Sequence, residues 1–387
     1  MGLFEVLATH RVVVCVGSGG VGKTTTAAAL ALRAAMSGRR VLCLTIDPAH
    51  RLAQSLGLTE MRTEQQVVPA ELFSAAGLEC RGTLSAMMLD TKRTFDELVE
   101  RHASSPERRD RILSNKLYQY VSTSLAGTQE YMAMEKLHAV KDDPRYDLVV
   151  LDTPPTTNAL DFLDAPERLV GAIDSPAMRW FIQAFEGAGK MSFGLVGRGA
   201  SFLLRGLAKF TGAEFLDAVA ELVTDLNDLF GGFRDRAKAV SAELRSPTVG
   251  FVIVTSPSPL AAAESIYFSK RLAAAGMGYD GFVVNRVHPL FHEPEASEAS
   301  LLAELGPLLP PEMDPVRTLD RMRSALDDER IRGVADRIEA ERISSRRAPG
   351  VAYVEVPAFD EDVHDLSALA RVAEHLCGPL EPNGKAP

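Results

Sequence analysis

The sequence predicts an α/β fold, a doubly wound and mostly parallel sheet carrying an inserted helical subdomain. Three observations predict it: short apolar runs recur along the chain, helix-length segments separate them, and one long interval contains none. Each run is rich in Val, Ile and Leu, the composition of a strand buried on both faces. Seven such runs stand at 12–16, 41–46, 84–89, 148–151, 249–255, 282–284 and 352–356.

The first two runs flank an Ala-rich helical stretch, 24–37, with Gly38 as its expected C-terminal stop, so the chain opens as a βαβ unit with a right-handed crossover. Several runs end in a special residue: a glycine loop after Val16, then Asp47, Asp152, Asn285 and Pro357. In an open α/β sheet these carboxyl ends share one edge, where ligands bind. The interval 161–246 lacks strand signals and alternates helical patterning with glycine breaks, which defines the helical insertion between two core parts, 1–160 and 247–377; a loose tail, 378–387, follows. Met178, Trp180, Phe181, Phe185, Met191, Phe193, Leu195, Phe202, Leu203, Leu204 and Leu207 make the insertion rich in aromatic, Met and Leu side chains. This zone is either a repackable apolar binding surface or ordinary core and interface.

Hydrophobic residues at 46% and charged residues at 24% are globular values that support a sizeable core. The formal net charge of −10 argues against a general nucleic-acid binder, which needs a basic face to neutralise phosphates. Cys15, Cys43, Cys80 and Cys377 lie far apart, which suits free thiols in a reducing compartment rather than a disulfide framework. The first ten residues lack a secretory pattern, and no run of 18 uncharged apolar residues occurs, so a cytoplasmic protein is expected.

Gly17-Ser18-Gly19-Gly20-Val21-Gly22-Lys23-Thr24 matches G-x-x-x-x-G-K-[ST] and lies between a predicted strand and a predicted helix, the context that a phosphate-binding loop requires. Its glycines let successive backbone N–H groups converge on phosphate oxygens at a helix N-terminus. Lys23 is then expected to bridge the β- and γ-phosphates, Thr24 to ligate Mg²⁺ and Thr25 to reach the α-phosphate. Phosphoryl transfer also needs one carboxylate to orient the attacking water and another in the Mg²⁺ shell. Asp47 is assigned the first role and Asp152 the second, although Asp47-Pro48 also reads as a helix N-cap followed by Pro. Asn285 either pairs with adenine through its amide or is a satisfied strand-end amide. A guanine site would place an Asp three positions later, where His288 stands, which favours ATP over GTP. His288 and His292 are set aside as metal ligands because Pro289 disrupts a helix between them.

The loop Gly17 to Thr25, the segment Thr45-Ile46-Asp47-Pro48-Ala49-His50 and the segment Asp152-Thr153-Pro154-Pro155-Thr156 resemble the arsenite-pump and tail-anchored-protein-targeting ATPases, a branch of the deviant Walker A phosphate-loop ATPases. Ala126-Gly127-Thr128-Gln129-Glu130, Asn285 and Val356-Pro357 follow in the order of that family. The resemblance implies a Mg-ATP-driven dimer with Asp47 as catalytic carboxylate and Pro357 near the adenine. It also implies either a hydrophobic protein client or, alternatively, a membrane partner energised as in an arsenite or anion efflux pump. A partitioning switch that rides on DNA or membrane lacks support, since no basic amphipathic tail is visible.

Three departures from the family matter. The family's first loop lysine, which reaches a partner's phosphates, is Ser18 here; the second-switch histidine is Asn158; and no C-x-x-C occurs for a zinc shared between subunits. The expectation is therefore a homodimer in which Arg51 supplies the charge, or a heterodimer with a lysine-bearing paralogue.

Overall fold

The structure, a computed structural model, describes residues 2–46, 51–124, 128–153, 235–293 and 295–379, with residues 164, 165, 167, 168, 170, 171, 174–176, 219, 221, 222 and 225 between them. Asp47 and the aromatic zone from Met178 to Leu207 lie outside the described residues.

The seven apolar runs form strands, and one short strand joins them: β1 Val12–Val16, β2 Arg40–Thr45, β3 Gln66–Val67, β4 Thr83–Met88, β5 Leu148–Asp152, β6 Val249–Thr255, β7 Gly281–Val287 and β8 Ala352–Pro357. They make one sheet in the order β3-β4-β2-β5-β1-β6-β7-β8. Every neighbouring pair is parallel except β3 with β4. Side chains alternate across this sheet. Val12, Val14, Val16, Leu42 and Leu44 enter the core on one face, and Val13, Cys15, Val41 and Cys43 the core on the other. The continuous hydrophobic runs are thus the signature of a sheet covered on both sides.

The face bearing Val13 and Cys15 is covered by helices Leu3–Thr9, Lys23–Met36, Arg51–Ser55 and Leu366–Cys377. Lys23–Met36 is buried from residue 26 to 36, because it lies between the sheet and the helices Leu3–Thr9 and Leu366–Cys377. Six of its fourteen residues are Ala, the residue that lets a helix approach closely on every side at no side-chain entropy cost.

The opposite face carries helices Thr91–His102, Pro106–Ser114, Lys116–Ser124 and Thr128–Val140, the helical stretch 235–243, Pro259–Ala274 and the end of the long helix Pro315–Ser344. Two sequence-distant parts of this layer are tied by charged pairs. Arg111 donates to Asp225 at 2.9 and 2.6 Å, Arg236 donates to Glu135 at 2.8 and 2.7 Å, and Lys141 donates to Glu243. Tyr131 adds a 2.7 Å hydrogen bond to Glu135, whose residue is only 2% exposed. Among the described residues no helix is long and apolar enough to cross a membrane.

Candidate functional site

β1 is central in the sheet, and the chain leaves its carboxyl end into the loop Gly17 to Gly22 before entering helix Lys23–Met36. Gly22 is the residue before that helix and holds φ +95°, a conformation that a Cβ strains. A Cβ there would also overlap Asn285 Nδ2 and lie 3.3 Å from Asn285 Cγ. Gly20 likewise has positive φ, Gly19 and Gly20 are exposed at the loop crest, and Gly17 has no room for a side chain against the Val254 carbonyl of β6. Val21 is buried among the core residues beneath the loop. Lys23 is buried, and its Nζ donates to the Ser18 carbonyl at 2.7 Å. Ser18 Oγ donates to Glu264 of helix Pro259–Ala274, so this loop position carries a neutral hydroxyl tied to an acid.

Asp152 ends β5 beside β1, in register with Cys15, and is fully buried. Thr45, the last residue of β2, donates its hydroxyl to Asp152 Oδ2 at 2.9 Å, and Thr153 donates to the Cys15 carbonyl at 2.8 Å. The carboxyl ends of β1, β2 and β5 are thereby cross-bonded. Burial, reinforced by the Asp152 carboxylate, pushes the Cys15 thiol well above its usual range and keeps it protonated.

The end of β7 reaches the same edge. Asn285 Nδ2 donates to the Val21 carbonyl at 2.9 Å, and Arg286 Nη1 donates to the Gly20 carbonyl at 3.3 Å. Asn285 therefore uses one amide hydrogen to hold the loop, and its oxygen and second N–H remain available to a base. His288 is bound to Asp336 of the long helix through its backbone N–H at 2.8 Å and its Nδ1 at 2.7 Å.

A cavity of about 730 Å³ joins these parts, a size proper to a small-molecule site. Gly20, Gly22, Lys23, Thr24, Thr25, Asn285 and Pro357 all line it, as do Arg51, Thr153, Arg286 and residues 358, 359 and 361–364 after β8. Seven of the sequence-predicted site residues thus meet around one cavity, with Asp152 buried next to it in β5. Thr45, Glu264 and Arg286 were not singled out by the sequence. Thr45 alone had a visible signal, as the polar residue that opens the segment Thr45-Ile46-Asp47-Pro48-Ala49-His50.

The donor set is one of hard oxygens: the Thr24 hydroxyl in the cavity and the Asp152 carboxylate, the ligands that Mg²⁺ takes. Among the described residues no cluster of three His, Cys, Asp or Glu is placed to hold a metal by itself.

A family model described as anion-transporting ATPase matches residues 10–304. Over 370 residues the chain is 25% identical to the ATPase GET3 of Malassezia globosa, covering 95% of this chain and 91% of that protein. It is 27% identical over 293 residues to the ATPase GET3B of Arabidopsis thaliana, covering 70% of this chain and 63% of that protein. It is 33% identical over 150 residues to the ATPase ASNA1 homolog 1 of Paramecium tetraurelia, covering 39% and 42% respectively. With a phosphate loop in its required setting and the family model spanning most of its length, the chain belongs to the anion-transporting ATPase family and is an ATP hydrolase.

Proposed function

We propose that the chain is a cytoplasmic, Mg-ATP-dependent ATPase that works as a dimer and couples hydrolysis to opening and closing of its helical face around an apolar protein client. The observation that carries the nucleotide part is the cavity that joins the phosphate loop to Asn285 and Pro357. The backbone N–H groups of Gly19 to Thr25 and the N-terminus of helix Lys23–Met36 hold the phosphates, and Lys23 exchanges the Ser18 carbonyl for a phosphate oxygen. Asp47 orients a water and accepts its proton as the water oxygen bonds to the γ-phosphorus; the bond from that phosphorus to the β-bridging oxygen breaks, and ADP leaves. Thr45 fixes the orientation of Asp152. Mg²⁺, when bound through Thr24 and Asp152, neutralises charge on the phosphate oxygens. Asn285 and Pro357 face the base.

The client part is supported by the helical layer, built from two distant segments joined by charged pairs, and by the relatives named GET3. Cys15, Cys43 and Cys377 are buried, and burial raises their thiols, Cys377 to about 12. Protonated, separated thiols suit an arsenite-binding pump subunit poorly, so client handling is the favoured role.

Two measurements test this. Asp47→Asn should bind ATP within a few fold of the parent yet lose turnover by about 10² or more; hydrolysis at the parental rate removes Asp47 from the mechanism. A synthetic 20-residue Leu/Ala peptide should co-elute with the protein in a nucleotide-dependent manner, and nucleotide-independent behaviour overturns the client role.

A further inference from the structure

We propose that Arg286 binds the phosphates of ATP, supplying from the same chain a positive charge at the loop whose second residue, Ser18, has none. Four features of the structure converge on this residue.

Arg286 is the one non-glycine residue with positive φ, +64°, among the described residues. Holding a side-chain-bearing residue there is unfavourable, and such strain persists where the surroundings impose it, commonly at ligand sites. The pairing of β7 with β8 shifts register here: Asn285 faces Val356 and Val287 faces Pro357, so Arg286 is the extra residue of a bulge. A bulge beside a site re-aims a side chain. The chain is pinned on both sides of the bulge, at Asn285 to the Val21 carbonyl and at His288 to Asp336. A regular strand would direct position 286 to one face of the sheet; the bulge instead sends its guanidinium to the phosphate loop.

There it lines the cavity with Lys23, Thr24 and Thr25 and donates to the Gly20 carbonyl at 3.3 Å. Lys23 makes the same kind of contact, from Nζ to the Ser18 carbonyl. Two cations therefore rest on carbonyls of one loop, each within a short side-chain swing of the space in front of it. That bond to Gly20 is long and uses one of five guanidinium N–H donors, leaving the planar fork available for bidentate phosphate binding. A hydroxyl at Ser18, engaged with Glu264, adds no positive charge, so at the loop itself the positive charges in contact are Lys23 and Arg286, with Arg51 elsewhere in the lining of the same cavity.

The competing role is a mechanical latch that merely steadies the loop. Three substitutions separate the two. In Arg286→Gly the backbone keeps φ +64° without strain, so the fold should be no less stable than the parent by thermal unfolding. Arg286→Gln keeps an N–H donor for the Gly20 carbonyl but no charge. Arg286→Lys keeps the charge but not the fork. Binding of ATP, ADP and adenosine is measured by displacement of a fluorescent ATP analogue, with kcat and KM for ATP alongside. The Gly and Gln variants should both lose ATP affinity by about ten- to a hundredfold, the span of a lost charge-assisted hydrogen bond, while adenosine affinity stays within about twofold and Lys recovers part of the loss. The proposal is overturned if Gln binds ATP like the parent, or if adenosine and ATP weaken equally. Lys23→Ala serves as control: were it to leave ATP binding intact as well, the assignment of the whole cavity to phosphate, and not Arg286 alone, would fall.

Discussion

Gly22→Ala joins the phosphate loop to the β7 end in one experiment. The backbone there stands at φ +95°, and a non-glycine residue in this region costs on the order of 1–3 kcal/mol. The added Cβ overlaps Asn285 Nδ2, so the amide must give up its 2.9 Å bond to the Val21 carbonyl, a further loss of about 1 kcal/mol. The single variant should therefore lose about 2–4 kcal/mol in chemical unfolding, and its KM for ATP should rise because both loop and Asn285 are displaced. Asn285→Ala alone removes the same hydrogen bond and vacates the space that the new methyl needs. In the double variant the overlap is relieved and the bond is lost only once, so its destabilisation should fall short of the sum of the singles by about 1 kcal/mol or more. Urea titration of the four proteins measures the coupling. Additivity within about 0.5 kcal/mol would show that the methyl meets something other than Asn285, and an unchanged stability for Gly22→Ala would remove the case for its strained conformation.

Other expectations are simpler to state. Arg236→Met strands the Glu135 carboxylate, which is 2% exposed, without its cation, and should cost about 3–5 kcal/mol, read as faster hydrogen exchange across helix Thr128–Val140. Ser18→Lys should raise turnover of the chain if it works in a heterodimer with a lysine-bearing paralogue; a parent that already turns over steeply with its own concentration, and gains nothing from the lysine, is a competent homodimer. Native-state alkylation at pH 8 should modify the half-buried Cys80 and spare Cys15, Cys43 and Cys377 until the protein is unfolded; burial raises all four thiols, but only Cys80 is reachable by the reagent.

The central strands were legible because burial on both faces removes any need for polar positions: β1 and β6 carry the bounds expected of runs 12–16 and 249–255, and the others differ by a residue or a few at the ends. β3 was not, since Gln66–Val67 is two residues long, partly exposed, and formed only by antiparallel pairing with β4. Between β4 and β5 the sequence showed only a helix-length interval, and the division into four helices was not legible: Thr91–His102 and Pro106–Ser114 are mostly polar and cover the sheet with few, spaced apolar residues such as Leu98, Val99 and Ile112. The phosphate loop announced itself, as its glycines answer a backbone requirement written in residue type. Arg286 could not: a left-handed Arg depends on the register shift against β8 and on the bond from His288 to Asp336, forty-eight residues beyond that histidine in sequence.

The charged pairs across the helical layer bear on how the protein can be dissected. Removing 161–246 to leave a minimal nucleotide core would delete Asp225, Arg236 and Glu243 together; Arg111 and Glu135 would lose these counter-ions, and Lys141 would keep only Asp142. The cut takes the cation from Glu135 and bares the apolar residues that helices Thr91–His102 and Thr128–Val140 place in the shared core. Excision or grafting of the layer must therefore take 91–140 with it, and a transplant between relatives succeeds only when both segments travel as one unit.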